Sequence, residues 1–378
     1  MRHFGHLAPR VRDELFHLPP AEFDAAAPLD VLAPALGATL YSPATRPRLA
    51  ADVRRQAARG VVSMVLCLED AIPDGEVGRA EANLVAQLTA LAAEPTGAPG
   101  SGPLPLLFVR VRTPGQITAL VTRLGPAVRV LTGFVLPKFT ECSGIPFLEA
   151  LTEAEAACGR RLLAMPVLES PDLLHLETRT ATLDGIARTV TKYRDRVLAL
   201  RLGVTDLCAA YGLRRAPGTT AYDIALLAAL IGDVVNVLGR ADGTGFTLTG
   251  PVWEYFPRRP RTPGPRPPGG HLDGLLREVE LDHANGLLGK TCIHPSHIAP
   301  VHALSVVTHE EFCDATDITG PGNGGGVLRS AYTNKMNEVK PHRAWAERTL
   351  RRARAFGVAR PDVTLADLLA AGTPAPGA

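Results

Sequence analysis

Residues 61–70, VVSMVLCLED, form an apolar run that stops at two adjacent acids, Glu69 and Asp70. A run of β-branched and other apolar residues with little polar alternation predicts a strand that is buried on both faces, as in a parallel sheet. Carboxylates do not fit the middle of such a strand, because a buried charge requires a partner or a metal ion. We therefore predict a buried strand whose tip opens into a polar cavity lined by these two acids.

Similar apolar runs recur along the chain and alternate with longer helical patterns. Seven further strands are predicted in GATLYSPA, PLLFVRVR, VLTGFVLPK, RLLAMPVLES, RVLALRLGVTDL, GFTLTGPVWEYF and GKTCIHP. Eight strand–helix units favour an α/β fold of the TIM (β/α)8 barrel type over an open doubly wound sheet. A GxGxxG motif does not follow the first strand, which weakens the dinucleotide-binding alternative. The barrel is assigned to residues 38–318, with an N-terminal extension (1–37) and a glycine-rich hinge with a C-terminal helical tail (319–378).

The overall composition limits the classes of function. The chain has 378 residues, 46% hydrophobic and 21% charged, with a net charge of +2. These values support a sizeable core and exclude the strongly basic character of a nucleic-acid binder. The six cysteines form no CxxC pair and are predicted to be free thiols in a reducing compartment. No apolar run approaches membrane-spanning length, and the N-terminal residues lack a signal-peptide core, so we predict a cytoplasmic protein without a membrane partner.

Charged residues stand at or just past the ends of six consecutive predicted strands. Three strands deliver cations and three deliver carboxylates: Arg46, Glu69 with Asp70, Arg110 with Arg112, Lys138, Glu169 and Asp206. Because the carboxyl ends of barrel strands build the active site of such folds, we predict that these residues share one site. The alternative is that they only neutralise one another at the barrel mouth.

Two of these carboxylates suit a metal ion. Glu169 and Asp206 close neighbouring predicted strands, which lie about 4.8 Å apart. Two carboxylates, several water molecules and a substrate oxygen form a typical magnesium site, so we predict Mg²⁺, with Mn²⁺ as the alternative ion.

The other acids and the cations suit the substrate. Glu69 and Asp70 are adjacent, so one should point inward and one outward if the strand persists that far. The inward acid could act on a metal-bound water or as a base, and Asp70 is the candidate base. Arg110 and Arg46 can each bind a carboxylate of a small substrate in bidentate fashion, with Lys138 nearby. Tyr41 and Ser42 in the first strand are interpreted as packing and turn residues, with contact between Ser42 and the substrate as the alternative.

A set of motifs in order resembles a known family. YSPATRPRLAADVRRQAARGVVSMVLCLEDAIPDGE is followed by FVRVR, GFVLPK, MPVLESP, LGVTDLCAAYG and GKTCIHPSHIAPV, over roughly residues 38–305. This series resembles the citrate lyase β-subunit-like family, which includes malyl-CoA lyases and the HpcH/HpaI aldolases. The acidic pair of that family matches Glu69 and Asp70.

The resemblance implies a TIM barrel that assembles as a homo-oligomer, a trimer or a hexamer. It also implies cleavage or formation of a carbon–carbon bond next to a carboxylate, with magnesium bound by Glu169 and Asp206. The substrate arginines of the family fall on Arg110 and Arg46. The arginine- and proline-rich segment 257–270 and both terminal segments depart from the family pattern. Use of a coenzyme A thioester therefore stays open.

Together these observations favour an Mg²⁺-dependent lyase or aldolase that acts on a small 2-oxo or 2-hydroxy carboxylate through a metal-stabilised enolate. Glu69, Asp70 and Arg110 are the predicted catalytic residues. Two alternatives remain: a phosphoryl-transfer barrel of the pyruvate-binding type, and a non-catalytic barrel that binds a metabolite.

The metal assignment predicts that Glu169→Gln and Asp206→Asn each abolish magnesium binding, because each substitution removes one anionic ligand. Isothermal titration calorimetry with Mg²⁺ measures this loss directly. Unchanged affinity in both variants would contradict the assignment.

Overall fold

The computed structural model describes residues 1–94, 102–256, 272–320 and 324–372. The arginine- and proline-rich segment 257–270 lies outside these residues, as do positions 321–323 of the predicted glycine-rich hinge. No helix in the described part of the chain combines the length and the apolar character needed to span a bilayer. All six cysteines are free thiols, as predicted.

The described residues contain twelve strands, eight of which form the main sheet. Their bounds are β1 Phe16–Leu18, β2 Ala38–Pro43, β3 Ser63–Cys67, β4 Leu106–Arg110, β5 Gly133–Leu136, β6 Leu163–Leu168, β7 Leu200–Leu202, β8 Leu248–Thr249, β9 Lys290–Cys292, β10 Val327–Arg329, β11 Met336–Glu338 and β12 Val358–Ala359.

The main sheet has the strand order β8-β7-β6-β5-β4-β3-β2-β9, and every pair is parallel. A parallel bridge between Gly250 and Lys290 joins the two end strands. The Gly250 amide donates a hydrogen bond of 2.9 Å to the Gly289 carbonyl at this junction. The sheet therefore closes into an eight-stranded barrel, and the predicted fold class is confirmed.

Helices follow the barrel strands and form the outer layer. Their bounds in the described residues are α1 Pro9–Leu15, α2 Leu29–Ala35, α3 Leu49–Ala58, α4 Val77–Ala93, α5 Pro114–Leu124, α6 Glu141–Cys158, α7 Leu176–Lys192, α8 Val204–Ala209, α9 Ala225–Leu238, α10 Asp273–Ala284, α11 Ile298–Ser305, α12 His309–Thr319, α13 Val339–Phe356 and α14 Leu365–Gly372.

Apolar side chains from alternate strand positions fill the barrel. One cluster lies inside it and includes Val65, Phe108, Val135, Met165 and Val167. A second, larger cluster packs the outward-facing residues against the helices. This division follows from the two-residue repeat of strands, which sends neighbouring side chains to opposite faces. The inward positions at the carboxyl ends of the strands are therefore the ones that reach the barrel mouth.

The two terminal segments cover the amino end of the barrel. Leu32 and Leu36, in and after α2, pack with Phe356 of α13 against the inner cluster. Strands β1 and β12 pair antiparallel and join the two segments. The boundaries assigned to the extension and the tail stay a prediction, but this covering leaves the opposite end as the open mouth.

Two strand predictions are wrong at their ends. β7 ends at Leu202, so Asp206 lies on the first turn of α8 instead of closing a strand. β3 ends at Cys67, so it does not persist to Glu69 and Asp70. The predicted helical tail is also interrupted, because residues 336–338 form β11, which pairs with β10 before α13 begins.

A buried ionic cluster secures the closing strand. The Lys290 ammonium of β9 lies 2.9 Å from Glu278 and 2.7 Å from Asp282, and both acids are on α10. Arg215 contacts Glu278 at 2.7 Å, and the Tyr222 hydroxyl donates to Asp282 at 2.9 Å. The cluster therefore ties the last barrel strand to α10 and to the loop that follows α8.

Lys290→Met should lower the free energy of unfolding by about 3–5 kcal/mol, because it leaves two buried carboxylates without their shared ammonium group. Urea unfolding followed by circular dichroism measures the change. Lys340→Met, at an exposed lysine on α13, is the control and should change the same quantity by no more than about 0.5 kcal/mol. Equal midpoints for the wild type and Lys290→Met would contradict the stabilising role.

Candidate active site at the barrel mouth

Arg110 is the centre of a cluster of carboxylates at the mouth of the barrel. Its guanidinium nitrogen Nη2 lies 2.6 Å from Glu69, 3.1 Å from Asp70 and 2.8 Å from Glu169. Arg110 is the last residue of β4 and lies beside Cys67 of β3 in the sheet register. The strand order therefore brings the acids that follow β3 and β6 to a single guanidinium group.

Glu69 and Asp70 both reach this guanidinium, contrary to the expectation that one would point inward and the other outward. The strand ends before them, so the alternation of strand side chains no longer applies. Glu69 is buried, with 8% of its side chain exposed, whereas Asp70 is 51% exposed. The Asp70 amide also donates to the Glu69 carboxylate at 2.9 Å.

The environment separates the pKa values of the two acids. Burial raises the pKa of Glu69, but hydrogen bonds from Asp70 and Lys138 and the charge of Arg110 outweigh it and hold the pKa below its usual value. Burial and the hydrogen bond with Glu69 raise the pKa of Asp70 to about 6, against the opposing charge of Arg110. Asp70 is thus the acid of the pair that can exchange a proton near neutral pH.

Lys138 adds a second cation to the cluster. Its ammonium group lies 2.7 Å from Glu69, and its backbone amide donates to Glu169 at 3.0 Å. The Lys138 backbone has φ of +48°, which is unfavourable for a residue with a side chain. In this conformation the ammonium group of Lys138 contacts Glu69 while its backbone amide donates a hydrogen bond to Glu169.

Glu169 is the most deeply buried acid of the cluster. Its Oε1 accepts from Arg110 and from the Lys138 amide. A Cβ atom added at Gly203 would lie 2.2 Å from its other oxygen, Oε2, so this oxygen occupies space that only glycine leaves free. Burial raises the pKa of Glu169 to about 7, opposed by Arg110 and reinforced by the charge of Asp206.

Asp206 follows Gly203 by one helical turn on α8. Among the described residues its carboxylate forms no hydrogen bond or ion pair, and it is partly exposed. The negative charge of Asp206 adds to the effect of burial in raising the pKa of Glu169. The structure thus leaves one oxygen of Glu169 and the whole carboxylate of Asp206 unpaired, although the strand end expected for Asp206 is absent.

The charges of this cluster do not balance. Four carboxylates, Glu69, Asp70, Glu169 and Asp206, face two cations, Arg110 and Lys138. When all are ionised, two negative charges are in excess, which matches the charge of a divalent ion. Within the described residues no group of three or more His, Cys, Asp or Glu side chains forms a complete metal cage. Two carboxylates with water as the remaining ligands are sufficient for magnesium, so the residues fit this ion.

Arg46 forms no hydrogen bond or ion pair with the residues of the Arg110 cluster in the described part of the chain. It follows β2, and its guanidinium pairs with Asp52 on the first turn of α3. Half of its side chain is exposed. Its predicted role in substrate binding stays a prediction.

Two arginines near this site have contacts that the sequence analysis did not predict: Arg112, which it placed at the shared site without a specific task, and Arg201, which it did not consider. Arg112 donates to the carbonyls of Leu68, Glu69 and Ile72 and so holds the loop after β3. Arg201 of β7 lies inside the barrel. A single arginine within the apolar run LALRLGV was the available signal for Arg201, since a charge in a buried strand requires an explanation.

Comparison with known proteins adds a family and a fold. The family model described as a C–C bond lyase of the TIM-barrel fold matches residues 30–358. The structure of the protein CitE from Mycobacterium tuberculosis in complex with magnesium, acetoacetate and coenzyme A matches with 22% identity and a TM-score of 0.52, covering 85% of this chain and 99% of that chain. At this identity the match supports the fold alone. A comparison with curated proteins gives no match.

Two further structures have lower TM-scores and carry no argument. RipC from Yersinia pestis matches with 17% identity and a TM-score of 0.46, covering 72% of this chain and 95% of that chain. A citrate lyase β subunit from M. tuberculosis, complexed with oxaloacetate and magnesium, matches with 22% identity and a TM-score of 0.44, covering 71% and 96% respectively.

The two arginines of the sequence VRVR should respond differently to the same substitution. Arg110→Lys should weaken the binding of oxalate in the presence of Mg²⁺ by about ten- to a hundredfold, because lysine cannot reproduce several charge-assisted hydrogen bonds at once. Its free energy of unfolding should also fall, because lysine cannot keep all three ion pairs of Arg110.

Arg112→Lys is the matched control and should lower the free energy of unfolding by about 1–3 kcal/mol through lost bonds to three carbonyls. Calorimetry with oxalate and thermal unfolding measure the two quantities. Oxalate binding that is weakened equally in both variants would contradict the division of roles.

Proposed function

Because the chain belongs to the carbon–carbon bond lyase family of the TIM-barrel fold, we propose that it cleaves or forms a carbon–carbon bond in a small 2-oxo or 2-hydroxy carboxylate, with Mg²⁺ as its cofactor. The catalytic site is the cluster at the barrel mouth. Glu169 and Asp206 are the proposed metal ligands, and Arg110, Glu69 and Asp70 are the proposed catalytic residues.

The observation that carries this proposal is the excess of carboxylates over cations at the mouth, together with the unpaired oxygens of Glu169 and Asp206. Bringing like charges together in a buried place costs free energy unless a cation neutralises them. A divalent ion would offset both the burial of the Glu169 carboxylate and the repulsion from Asp206, which together raise the pKa of Glu169. The CitE protein from M. tuberculosis forms a complex with magnesium, which supports the same choice of ion here.

The bound metal ion would supply positive charge to the substrate oxygens on which negative charge develops. The remaining steps belong to residues of the chain. Arg110, preorganised by its carboxylate partners, would donate hydrogen bonds to the substrate carboxylate and to the developing enolate oxygen. Asp70, whose pKa is raised to about 6, would accept the proton of the substrate hydroxyl group when the carbon–carbon bond breaks. Lys138 would hold Glu69 ionised beside it.

Arg46 stands at the end of β2 with half of its side chain exposed, so it could reach a second substrate carboxylate by leaving Asp52. A coenzyme A thioester is the optional form of the substrate, supported by the coenzyme A in the CitE complex. We also propose a cytoplasmic homo-oligomer, a trimer or a hexamer, on the resemblance to the citrate lyase β-subunit-like family.

The test is incubation of the protein with Mg²⁺ and a panel of 2-oxo and 2-hydroxy acids, both free and as coenzyme A thioesters. The expected result is release of pyruvate or of an acetyl group from one member, detected by NMR. The activity should disappear with EDTA and return with Mg²⁺. Glu169→Gln should lower the rate at least about a hundredfold, whereas Glu177→Gln on α7 is the control without effect.

Two other outcomes would favour other functions. Turnover that requires ATP would indicate phosphoryl transfer. Thermal stabilisation by a panel member without turnover would indicate a non-catalytic barrel, and either result would contradict the lyase proposal.

A further inference from the structure

Tyr41 occupies an inward position near the carboxyl end of its barrel strand. It is on β2, two residues after Thr39, and its ring packs against the apolar cluster inside the barrel. Thr39 and Tyr41 share the inward face of the strand because strand side chains alternate. Tyr41 is only partly buried by the surrounding residues. It therefore belongs to the inner layer that borders the open end.

A buried cation lies over the ring of Tyr41. The Arg201 guanidinium carbon lies 5.5 Å from the centre of the ring. Tyr41 pairs with Val65 of β3, and Arg110 pairs with Cys67, two residues further toward the mouth on the same face, so Arg110 lies one inward layer above Tyr41. The hydroxyl group forms no hydrogen bond with any of the described residues. An unpaired hydroxyl group one inward layer below Arg110 is available to a bound substrate.

Arg201 explains how a phenol at this place could lose its proton. It is 1% exposed, and its guanidinium contacts the neutral groups Thr291, at 2.5 Å, and Thr39, at 3.4 Å. Its Nε atom is buried without a partner. In the described part of the chain no carboxylate pairs with it. A buried cation that lacks a counter-ion stabilises any negative charge that forms nearby, because the local dielectric constant is low.

The net charge of the site also favours the formation of one negative charge near Arg201. A divalent ion would neutralise the excess of carboxylates at the mouth, and Arg201 then adds one positive charge beneath it. This surplus suits one developing negative charge, either on the substrate or on a phenolate.

We propose that Tyr41 is the proton donor that quenches the enolate formed when the carbon–carbon bond breaks. The inference rests on the proposed lyase function. In this step the O–H bond of Tyr41 breaks, its proton forms a C–H bond on the enolate carbon, and the enolate electron pair supplies that bond while the carbonyl group is restored. The phenolate that remains is stabilised by the charge of the Arg201 guanidinium next to its ring. It regains a proton from water, and Asp70 releases to water the proton taken from the substrate hydroxyl group.

The environment of the two groups suits these opposite tasks. Burial raises the pKa of Tyr41, against the opposing charges of Arg201 and Arg110, so the phenol is protonated at neutral pH as a donor must be. In formation of the bond the roles reverse, because each step must run backward through the same residues.

The first experiment follows the exchange of methyl protons for deuterium in D2O, with pyruvate and acetyl-coenzyme A as probes, Mg²⁺ present and ¹H NMR as the readout. Exchange requires removal and return of a carbon-bound proton, which is the step assigned to Tyr41. The expected result is exchange by the wild type and a rate about 10² to 10⁴ times lower for Tyr41→Phe. Tyr193→Phe, at the end of α7, is the matched control and should exchange at the wild-type rate.

The outcomes separate this inference from the function on which it rests. Equal exchange by the wild type and Tyr41→Phe would overturn the role of Tyr41 and leave the lyase function standing. Absence of exchange by the wild type with both probes would overturn the lyase function and the donor together. Binding of oxalate by Tyr41→Phe within about threefold of the wild type would establish that the lost exchange is not caused by misfolding.

A second measurement does not depend on turnover. Tyrosine labelled with ¹³C at Cζ gives six signals, one for each tyrosine of the chain. Adding oxalate with Mg²⁺ should shift one signal, and that signal should be the one missing from Tyr41→Phe. If oxalate binds and the Tyr41 signal does not move, the phenol does not contact the ligand and the inference is wrong.

Discussion

The candidate site depends on one guanidinium group that holds several carboxylates together. Three acids reach Arg110 from the loops after β3 and β6, and without that cation they would repel one another in a partly buried place. The arginine does not complete the neutralisation, however, because Asp206 and one oxygen of Glu169 remain unpaired. The carboxylates are therefore held in fixed positions, but the cluster still has fewer positive than negative charges.

The rest of the barrel keeps that arrangement in place. Terminal segments cover the amino end, so the charged end remains open to ligands. At the strand that closes the barrel, Lys290 and the acids of α10 stabilise the junction between the two ends of the sheet. Arg215 extends this cluster to the loop after α8, and the helix α8 itself carries Asp206. The ionic contacts at the closing strand thus stabilise the barrel, whereas those at the mouth form the candidate active site.

The sequence predicted the barrel because each strand is a short apolar run, and it predicted the site because a charge after such a run must lie at the strand tip. This reasoning placed Arg110, Glu69 and Glu169 together. It failed where the backbone leaves the strand early, since neither the end of β3 at Cys67 nor the turn into α8 at Gly203 is marked by an apolar pattern. Arg201 and Lys290 were visible as single charges in apolar runs, but their partners come from distant elements and required the fold.

The backbone of Lys138 has a consequence for how this protein can change over generations. A residue with φ of +48° has a lower conformational energy when it is glycine. Without selection for the lysine side chain, substitution by glycine at this position would therefore be favoured by stability. That replacement would keep the amide bond to Glu169 but would lose the ammonium group beside Glu69. In descendants of this chain, a lysine at this position would mark selection for the chemistry of the pocket, whereas a glycine there would mark its relaxation.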